Sequence, residues 1–377
     1  MKPLAPPLAI LMELTHRCPL KCPYCSNPLA MDRARDELDT ATWQRVITEA
    51  AALGILQAHF SGGEPMVRDD LPDLIRHARN EGLYTNLITS AVLLDRRRMT
   101  ALAEAGLDHV QISFQGAEIG IADRIAGLRH AHEKKMEAAR LVREAGLALT
   151  INAVVHRQNL DQLPAMLDLA LAAGAQRIEV AHVQYYGWAL KNRAALIPTR
   201  KQLDEATRIV EAARQRLAGT LVIDYVVPDY YASRPKACMG GWARQFFNIT
   251  PSGKMLPCHA AETLDLVFER VTDRSVGAIW ADSLAFDAYR GTSWMAPPCQ
   301  GCARAEIDWG GCRCQALALT GNAAATDPAC SLSPDHAMMV DLANAESAGA
   351  VPDFAYRMIT GDAANRPSSR RIDMIGK

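Results

Sequence analysis

The sequence predicts an α/β protein: six successive β/α units form a partial, TIM-like (β/α)6 barrel, and an irregular cysteine-rich domain follows it. Short apolar runs alternate with helical patterns from residue 8 to residue 226. A glycine repeatedly follows the helical pattern, as is common at helix C-termini. From about residue 227 helical patterns become scarce, while Pro, Gly, Cys and Trp become frequent. Such repetition implies a parallel sheet whose functional residues lie in the loops after the strands.

Seven apolar runs carry the strand prediction, and helical patterns separate them. The strands are predicted at residues 8–14, 55–60, 83–89, 109–115, 147–155, 177–183 and 221–226. The helices are predicted near residues 42–54, 69–81, 95–105, 132–145, 161–173 and 199–217. Because the pattern breaks after the last strand, we predict a barrel domain at 1–226, a cysteine-rich domain at 227–350 and a polar tail at 351–377.

The composition is that of a packed globular protein. The 377 residues are 49% hydrophobic and 22% charged, with a formal net charge of −1. This near-neutral balance gives no reason to expect nucleic acid or an anionic membrane as a partner. The apolar opening is interrupted by Pro6 and Pro7, which argues against a signal peptide, and no run approaches the ~18 apolar residues of a membrane span. We therefore predict a cytoplasmic protein.

The ten cysteines fall into two groups, three at 18–25 and seven at 238–330. In a reducing compartment such clusters favour metal binding or catalysis over disulfides. The first group has the spacing Cys18-x3-Cys22-x2-Cys25 and follows the first predicted strand. Three thiolates on a [4Fe–4S] cube would leave one iron open to a small molecule. A zinc half-site or a disulfide would leave one thiol without a role.

This spacing, with Tyr24 before the last cysteine, resembles the radical S-adenosylmethionine (SAM) enzymes. A second similar element is "SGGEP" at residues 61–65, after the second predicted strand. The resemblance implies that Cys18, Cys22 and Cys25 hold a [4Fe–4S] cluster with an open site. It also implies that the SAM methionine lies along Gly62, Gly63 and Glu64. Glycines would let the ligand approach the backbone closely, and the carboxylate would favour the amino group of SAM.

Other SAM contacts are predicted less specifically. The resemblance places Tyr24 near the adenine, and Ser113 and Asn152 lie on strands where ribose or carboxylate contacts are plausible. Ser and Asn in such strands are equally often satisfied within the fold. The family's chemistry would be reductive cleavage of SAM, giving a 5′-deoxyadenosyl radical that removes a hydrogen atom from the substrate.

The second cysteine group resembles the SPASM extension of peptide-modifying radical SAM enzymes, which holds two auxiliary iron–sulfur clusters. The matching residues are Cys238, Gly253, Cys258, Cys299, Cys302, Cys312 and Cys330, and Cys314 is an extra thiol. Asp308 stands where the family pattern has a cysteine. It is either a lost ligand or a carboxylate ligand to iron, and the intact spacing around it favours ligation.

The resemblance implies two ligand sets in this region. One comprises Cys238, Cys258 and Cys312, which Cys314 could complete; the other comprises Cys299, Cys302, Asp308 and Cys330. A zinc ribbon formed by Cys299, Cys302, Cys312 and Cys314 is the alternative. His259 is expected at the surface or behind the ligands, not on the metal.

Three longer stretches resemble the peptide cyclases of pyrroloquinoline quinone (PQQ) biosynthesis: "VQISFQGAE", "NAVVHRQNLDQLP" and "VAHVQYYGWALKNRAALIPTR". An Asp among the SPASM ligands also fits that branch. The resemblance implies a carbon–carbon cross-link between a Glu side chain and a Tyr ring of the ribosomal peptide PqqA, which the carrier protein PqqD delivers. Electrons would come from a flavodoxin-type donor.

Two alternatives have different functions. One is another peptide-modifying SPASM enzyme, such as a sulfatase-maturating enzyme; those usually keep the cysteine that Asp308 replaces. The other is a non-catalytic iron–sulfur electron carrier, which would have no use for "SGGEP". Tyr185, Tyr186 and Trp188 follow the sixth predicted strand. They are expected either to contact the peptide or, more readily, to close the bottom of the barrel or cover the junction with the SPASM region.

Overall fold

The computed structural model describes residues 4–357 of the chain. One nine-stranded sheet forms its centre, in the order β7-β6-β5-β4-β3-β2-β1-β8-β9. The strands are β1 Ala9–Glu13, β2 Gln57–Ser61, β3 Tyr84–Thr89, β4 His109–Phe114, β5 Ala148–Val155, β6 Arg177–His182, β7 Val222–Val226, β8 Phe246–Ile249 and β9 Met255–Leu256. Neighbours from β7 through β1 to β8 run parallel, and only β9 is antiparallel. The predicted α/β fold with a partial barrel is confirmed.

Helices join the parallel strands. In the barrel region they are α1 Thr40–Ala52, α2 Leu71–Asn80, α3 Arg96–Glu104, α4 Ile119–Ala126, α5 Ala131–Glu144, α6 Leu163–Ala172, α7 Gly187–Lys191, α8 Arg193–Leu196 and α9 Arg200–Arg216. In the cysteine-rich region they are α10 Val276–Asp282, α11 Leu284–Asp287, α12 Ala305–Asp308, α13 Arg313–Thr320 and α14 His336–Ala348. The scarcity of helix predicted after residue 227 was therefore overstated, because α10 to α13 are short and the longer α14 has little apolar periodicity.

Alternation along the strands separates the two faces of the sheet. In β4, Val110, Ile112 and Phe114 are buried among helix side chains. Gln111 and Ser113 lie on the opposite, half-buried face. The register pairs Ser113 with Asn152 and Asn152 with Glu179, so polar side chains of three strands line the inside of the barrel.

The sheet continues across the boundary predicted at residue 226. Strand β8 from the cysteine-rich region pairs with β1, with Leu11 opposite Asn248. The two predicted domains therefore share one sheet and one apolar core. The greater part of the predicted tail, residues 358–377, lies outside the described residues. Within residues 4–357, no helix combines the length and the apolar character needed to cross a membrane.

Candidate active site

The three-cysteine loop follows β1, at the carboxyl edge of the sheet where strand-end loops meet. A turn closes it, in which the Cys25 N–H donates to the Cys22 carbonyl at 3.1 Å. Cys18 and Cys22 pack beside the buried side chain of Leu20. Burial raises the pKa of Cys18 to about 12 and that of Cys25 to about 11, and it raises the pKa of Cys22 as well.

Two positive charges approach this loop from distant parts of the chain. Lys135 of α5 is 1% exposed, and its ammonium donates to the Ser113 carbonyl at 2.8 Å and to the Gln115 side chain. Arg357 donates to the carbonyls of Cys18, at 3.0 Å, and Leu20. Both cations lower the pKa of Cys22 in part, against the larger effect of burial. They would favour the thiolate form that iron needs.

Gly62 and Gly63 bring the end of β2 against the backbone that leads into the cysteine loop. A Cβ on Gly63 would lie 2.4 Å from the Arg17 carbonyl, and one on Gly62 would lie 2.4 Å from the Thr15 carbonyl. The Gly63 N–H donates to that Thr15 carbonyl at 2.6 Å. We expected the glycines to make room for a ligand. In the structure, backbone atoms of residues 14–17 occupy the positions that a Cβ on either glycine would take. The glycines therefore also allow the two backbone segments to pack closely.

Glu64 is 0% exposed, and the chain fills its hydrogen-bonding capacity. It accepts from the Thr89 hydroxyl, the Ser90 hydroxyl and N–H, and the Met66 N–H. The resemblance implies that this carboxylate adds a favourable negative charge near the amino group of SAM, which stays a prediction. The geometry also gives it a second role, because it ties the end of β2 to the end of β3.

The remaining predicted SAM contacts lie around the inner face of the barrel. The Asn152 amide nitrogen donates to Glu179 at 3.2 Å, whereas its oxygen is buried with no partner among the described residues. Tyr24 is half-buried beside His156, with ring centroids 5.8 Å apart, and its hydroxyl likewise makes no hydrogen bond to the described residues. Ser113 faces the same side as Asn152 and accepts from Lys135 through its carbonyl.

In the cysteine-rich region the structure brings together Cys238, Cys258, Cys312 and Cys314. The thiols contact one another: contact with Cys238 lowers the pKa of Cys258, and contact with Cys258 raises the pKa of Cys314. Cys312 in turn contacts both Cys238 and Cys314. Buried Asp327 holds this group from behind, because it accepts from the Cys312 N–H at 2.6 Å. This is the first of the two predicted sets, with Cys314 as its fourth member.

Cys299, Cys302, Asp308 and Cys330 line one small cavity, together with Arg234 and Thr326. Arg234 donates to the Cys330 sulfur and the Thr326 hydroxyl contacts the Cys299 sulfur, each at 3.5 Å. This grouping is the second predicted set. The zinc ribbon alternative needs Cys299 and Cys302 beside Cys312 and Cys314, but the fold places these pairs in different groups. Among residues 4–357, no three His, Cys, Asp or Glu side chains are arranged to hold a single metal ion.

Two family models match the chain. The radical SAM superfamily matches residues 12–170, and the SPASM iron–sulfur cluster-binding domain matches residues 238–303. Among curated relatives, a PqqA peptide cyclase of Bradyrhizobium diazoefficiens is 62% identical over 94% of both chains. One from Rhodopseudomonas palustris is 62% identical over 94% of this chain and 95% of the relative. The chain belongs to the PqqA peptide cyclase family.

Solved structures share the fold of this cyclase family member at low identity. SuiB of Streptococcus suis, bound to SAM, has a TM-score of 0.73 at 20% identity, covering 87% of this chain and 78% of SuiB. The protein anSMEcpe with bound AdoMet has a TM-score of 0.60 at 17% identity, covering 90% of this chain and 100% of that one.

Family membership supplies the cofactors: a [4Fe–4S] cluster with an open site, SAM and auxiliary iron–sulfur clusters. The residues present fit these groups. Three thiols share one loop, and the seven further thiols divide into two spatial groups, of which Asp308 completes the second. The buried Asn152 oxygen beside the barrel interior has no partner among the described residues. The assignment of each individual ligand and SAM contact stays a prediction.

Sequence reasoning missed Lys135 and Arg357. Lys135 had a signal: it occupies an apolar position of α5, four residues after Ala131 and three before Ala138, which are both buried. A charge at such a position indicates a buried partner. Arg357 carried no such signal, because only the tertiary fold brings residue 357 back to residue 18.

Proposed function

We propose that the chain joins a Glu side chain to a Tyr ring of the precursor peptide PqqA through a carbon–carbon bond, an early step of PQQ biosynthesis. The single observation that carries this proposal is identity of 62% over 94% of the chain to proteins named PqqA peptide cyclase. The cysteine loop, the "SGGEP" turn and the two auxiliary thiol groups are the machinery that such a reaction requires.

Cys18, Cys22 and Cys25 would hold the open cluster, and the backbone around Gly62 and Gly63 would support SAM. When bound, these cofactors supply a 5′-deoxyadenosyl radical that can take a hydrogen atom from an unactivated side-chain carbon. The protein's own contribution is to orient the reacting groups and to exclude water.

Several residues of the chain fix that geometry. Buried Glu64 holds the ends of β2 and β3 together through Thr89 and Ser90. Lys135 places a positive charge behind the cysteine loop, where it would balance the thiolates. Such supporting hydrogen bonds and charges commonly decide how well ligands are oriented.

The inner face of the barrel offers polar groups toward the position of the substrate. Gln111 and Asn152 both donate to Glu179, at 3.4 Å and 3.2 Å. Burial raises the pKa of Glu179, and the nearby Asp224 raises it further. A buried Glu carboxylate within hydrogen-bond reach of a substrate is a common general base. We therefore propose that Glu179, on the inner face of the barrel, accepts the proton that is released when the tyrosine ring becomes aromatic again.

In the same reaction, the auxiliary clusters would act as electron acceptors. Forming the cross-link and restoring the aromatic ring releases one electron besides the proton. An auxiliary iron–sulfur cluster can accept that electron. The remaining partners are proposed with the family: PqqD delivers PqqA, a flavodoxin-type protein donates the electron that starts the reaction, and the reaction takes place in the cytoplasm.

The test is an anaerobic assay of the reconstituted protein. With SAM and dithionite we expect 5′-deoxyadenosine; with PqqA and PqqD added, we expect a peptide lighter by two hydrogen atoms and a new bond between Glu and Tyr. An unchanged PqqA mass alongside 5′-deoxyadenosine would point to another peptide as substrate. A protein that forms no 5′-deoxyadenosine but exchanges electrons would be a carrier.

A further inference from the structure

The segment after β6 lies between the two cysteine groups that the function needs. It runs from Val183 into the short helix α7, and it includes Tyr185 and Tyr186. Residues at this position were expected to contact the peptide or to cover the junction with the SPASM region. The structure gives the two tyrosines different surroundings.

On one side, the segment packs on the radical SAM loop. The backbone at Gly187 is so close to this loop that a Cβ there would lie 3.3 Å from the Asn27 carbonyl and 3.9 Å from the Cys25 carbonyl. The Tyr186 hydroxyl is near Ser26, the residue that follows Cys25. Burial raises the pKa of Tyr186, and the nearby Ser26 side chain opposes part of that rise.

On the other side, Tyr186 contacts the first auxiliary group. Its hydroxyl shares a hydrogen bond with His259 Nε2, and the two rings are 5.4 Å apart at 46°. His259 directly follows Cys258, and the thiols of Cys258, Cys312 and Cys314 are close enough to raise the pKa of Tyr186 further. Burial lowers the pKa of His259. The Tyr186 phenol therefore lies near Ser26, which follows Cys25, and contacts His259, which follows Cys258.

Tyr185 provides the contrast. It is 6% exposed and packs edge-on against Tyr230, with centroids 4.8 Å apart, in a separate apolar cluster. Burial also raises the pKa of Tyr185, but the groups that act on it are Tyr230, Tyr231, Arg193 and Glu346, none of which belongs to a cysteine loop. Tyr185 packs in an apolar cluster away from the cysteines. Of the two tyrosines, it is Tyr186 that lies between the Cys25 loop and the Cys258 loop.

We propose that the hydrogen bond between Tyr186 and His259 couples the radical SAM site to the first auxiliary cluster, so that SAM binding at one changes the reduction equilibrium of the other. Hydrogen bonds to ligand-bearing segments set the potential of iron–sulfur clusters. A movement of the Cys25 loop would be transmitted through Ser26 and Tyr186 to His259 and Cys258. Tyr186 is thus a positioning residue, and the coupling must be reciprocal. The inference rests on the cofactors and not on the identity of the peptide.

The experiment is an anaerobic redox titration of the reconstituted full-length protein, following the EPR signal of the first auxiliary cluster with and without SAM. In the unmodified protein we expect SAM to change the equilibrium constant for one-electron reduction about threefold to tenfold, where tenfold corresponds to about 59 mV. In Tyr186→Phe, which removes only the hydroxyl, this SAM-dependent change should fall below half. Tyr185→Phe, the same chemical change one residue earlier, should keep it in full.

A second variant tests whether one contact is responsible. His259→Gln should reduce the change like Tyr186→Phe, and the double variant should lose no more than either single variant, because both act through one hydrogen bond. Iron content and circular dichroism are measured for each protein.

The proposal is overturned if SAM has no effect on the unmodified protein, if Tyr186→Phe keeps the full effect, or if Tyr185→Phe loses it. Loss of iron from both single variants would also overturn it, because the contact would then serve assembly alone. A protein that shows the coupling but leaves PqqA unchanged would refute only the proposed peptide reaction.

Discussion

At the scale of the residue, the surroundings of Asp308 indicate why a carboxylate can replace a cysteine of the pattern. Its carboxylate is buried in the cavity with Cys299, Cys302 and Cys330. One oxygen accepts from the Gly310 N–H and the other from Arg304, each at 3.2 Å. A carboxylate with three thiols around one cavity is an acceptable ligand set for iron.

Replacing Asp308 tests that role. Asp308→Ala should lower the iron content of the second auxiliary site and change its EPR signal, because the three remaining thiols would leave one iron without a protein ligand. Iron analysis and EPR spectroscopy measure both. Glu306→Ala is the control, since Glu306 belongs to the same helix α12 but is exposed. Equal iron content and equal spectra in Asp308→Ala and Glu306→Ala would refute ligation.

His182 makes a prediction about pH. Burial lowers its pKa from 6.5 to about 3, with a further contribution from Lys236. As pH falls below 6.5, the His182 imidazole becomes protonated in the unfolded chain but stays neutral in the folded chain. His182 therefore destabilises the fold progressively down to about pH 3. Between pH 6.5 and 5.5 this costs about 1 kcal/mol. His182→Gln should therefore weaken the acid-side fall of the thermal unfolding midpoint, measured anaerobically.

The control for this prediction is His77→Gln, at a partly exposed histidine of helix α2. That change should leave the slope of the midpoint against pH as it is. If His182→Gln and the unmodified protein lose the same stability from pH 6.5 to 5.5, the burial argument for His182 is wrong.

At the scale of the element, the turn after β2 positions the cysteine loop. Its two glycines let the turn lie on the backbone of residues 15–17, and Glu64 fastens it to β3. Strand β1, which precedes the cysteines, is held between β2 and β8. The loop is thus supported at its base by three parallel strands.

Gly63→Ala should displace this loop. The new Cβ would meet the carbonyls of Arg17 and His16 at 2.4 Å and 2.7 Å, and backbone atoms cannot move aside as a side chain does. We expect loss of the first cluster and of the spectral response to SAM, with both auxiliary signals retained. Gly277→Ala in helix α10 has nothing within 4 Å and should change neither. A full SAM response in Gly63→Ala would contradict this account.

At the scale of the whole molecule, the last described residues return to the cysteine loop that follows β1. Residues 351–357 pack beside the cysteine loop, where Arg357 donates to the Cys18 carbonyl. Asn192 connects the same regions, since its amide donates to the carbonyls of Pro23 and Ala355. Phe354 lies edge-on against His156, with centroids 6.0 Å apart, and Tyr24 also packs against that histidine at 5.8 Å. This segment therefore covers one side of the cluster loop.

Two truncations test that cover. A chain ending after Ala350 lacks the segment, whereas a chain ending after Arg357 keeps it. We expect the shorter chain to lose its first cluster several times faster in air, because the loop loses its hydrogen bonds and its shielding from solvent. Loss is followed by absorbance and iron release. Equal rates for the two truncations would show that residues 351–357 protect nothing.

The sequence by itself determined the repeated β/α order, the strand positions within a few residues and the three-cysteine loop, whereas the membership of both auxiliary groups was implied by the family resemblance. These features depend on local patterns, such as apolar periodicity, helix-ending glycines and cysteine spacing. The cysteine-rich helices α13 and α14 and the continuation of the sheet through β8 left no such pattern.

Only the tertiary structure decided which residues meet across long separations. Arg357 reaches Cys18, Tyr186 reaches His259, and Glu64 accepts hydrogen bonds from Thr89 and Ser90. These contacts depend on how separate elements pack, because a side chain's partner is set by the neighbouring surface and not by its own flanking residues. Spacing along a chain can name a set of ligands, but the charges and hydrogen bonds around them are set only by the fold.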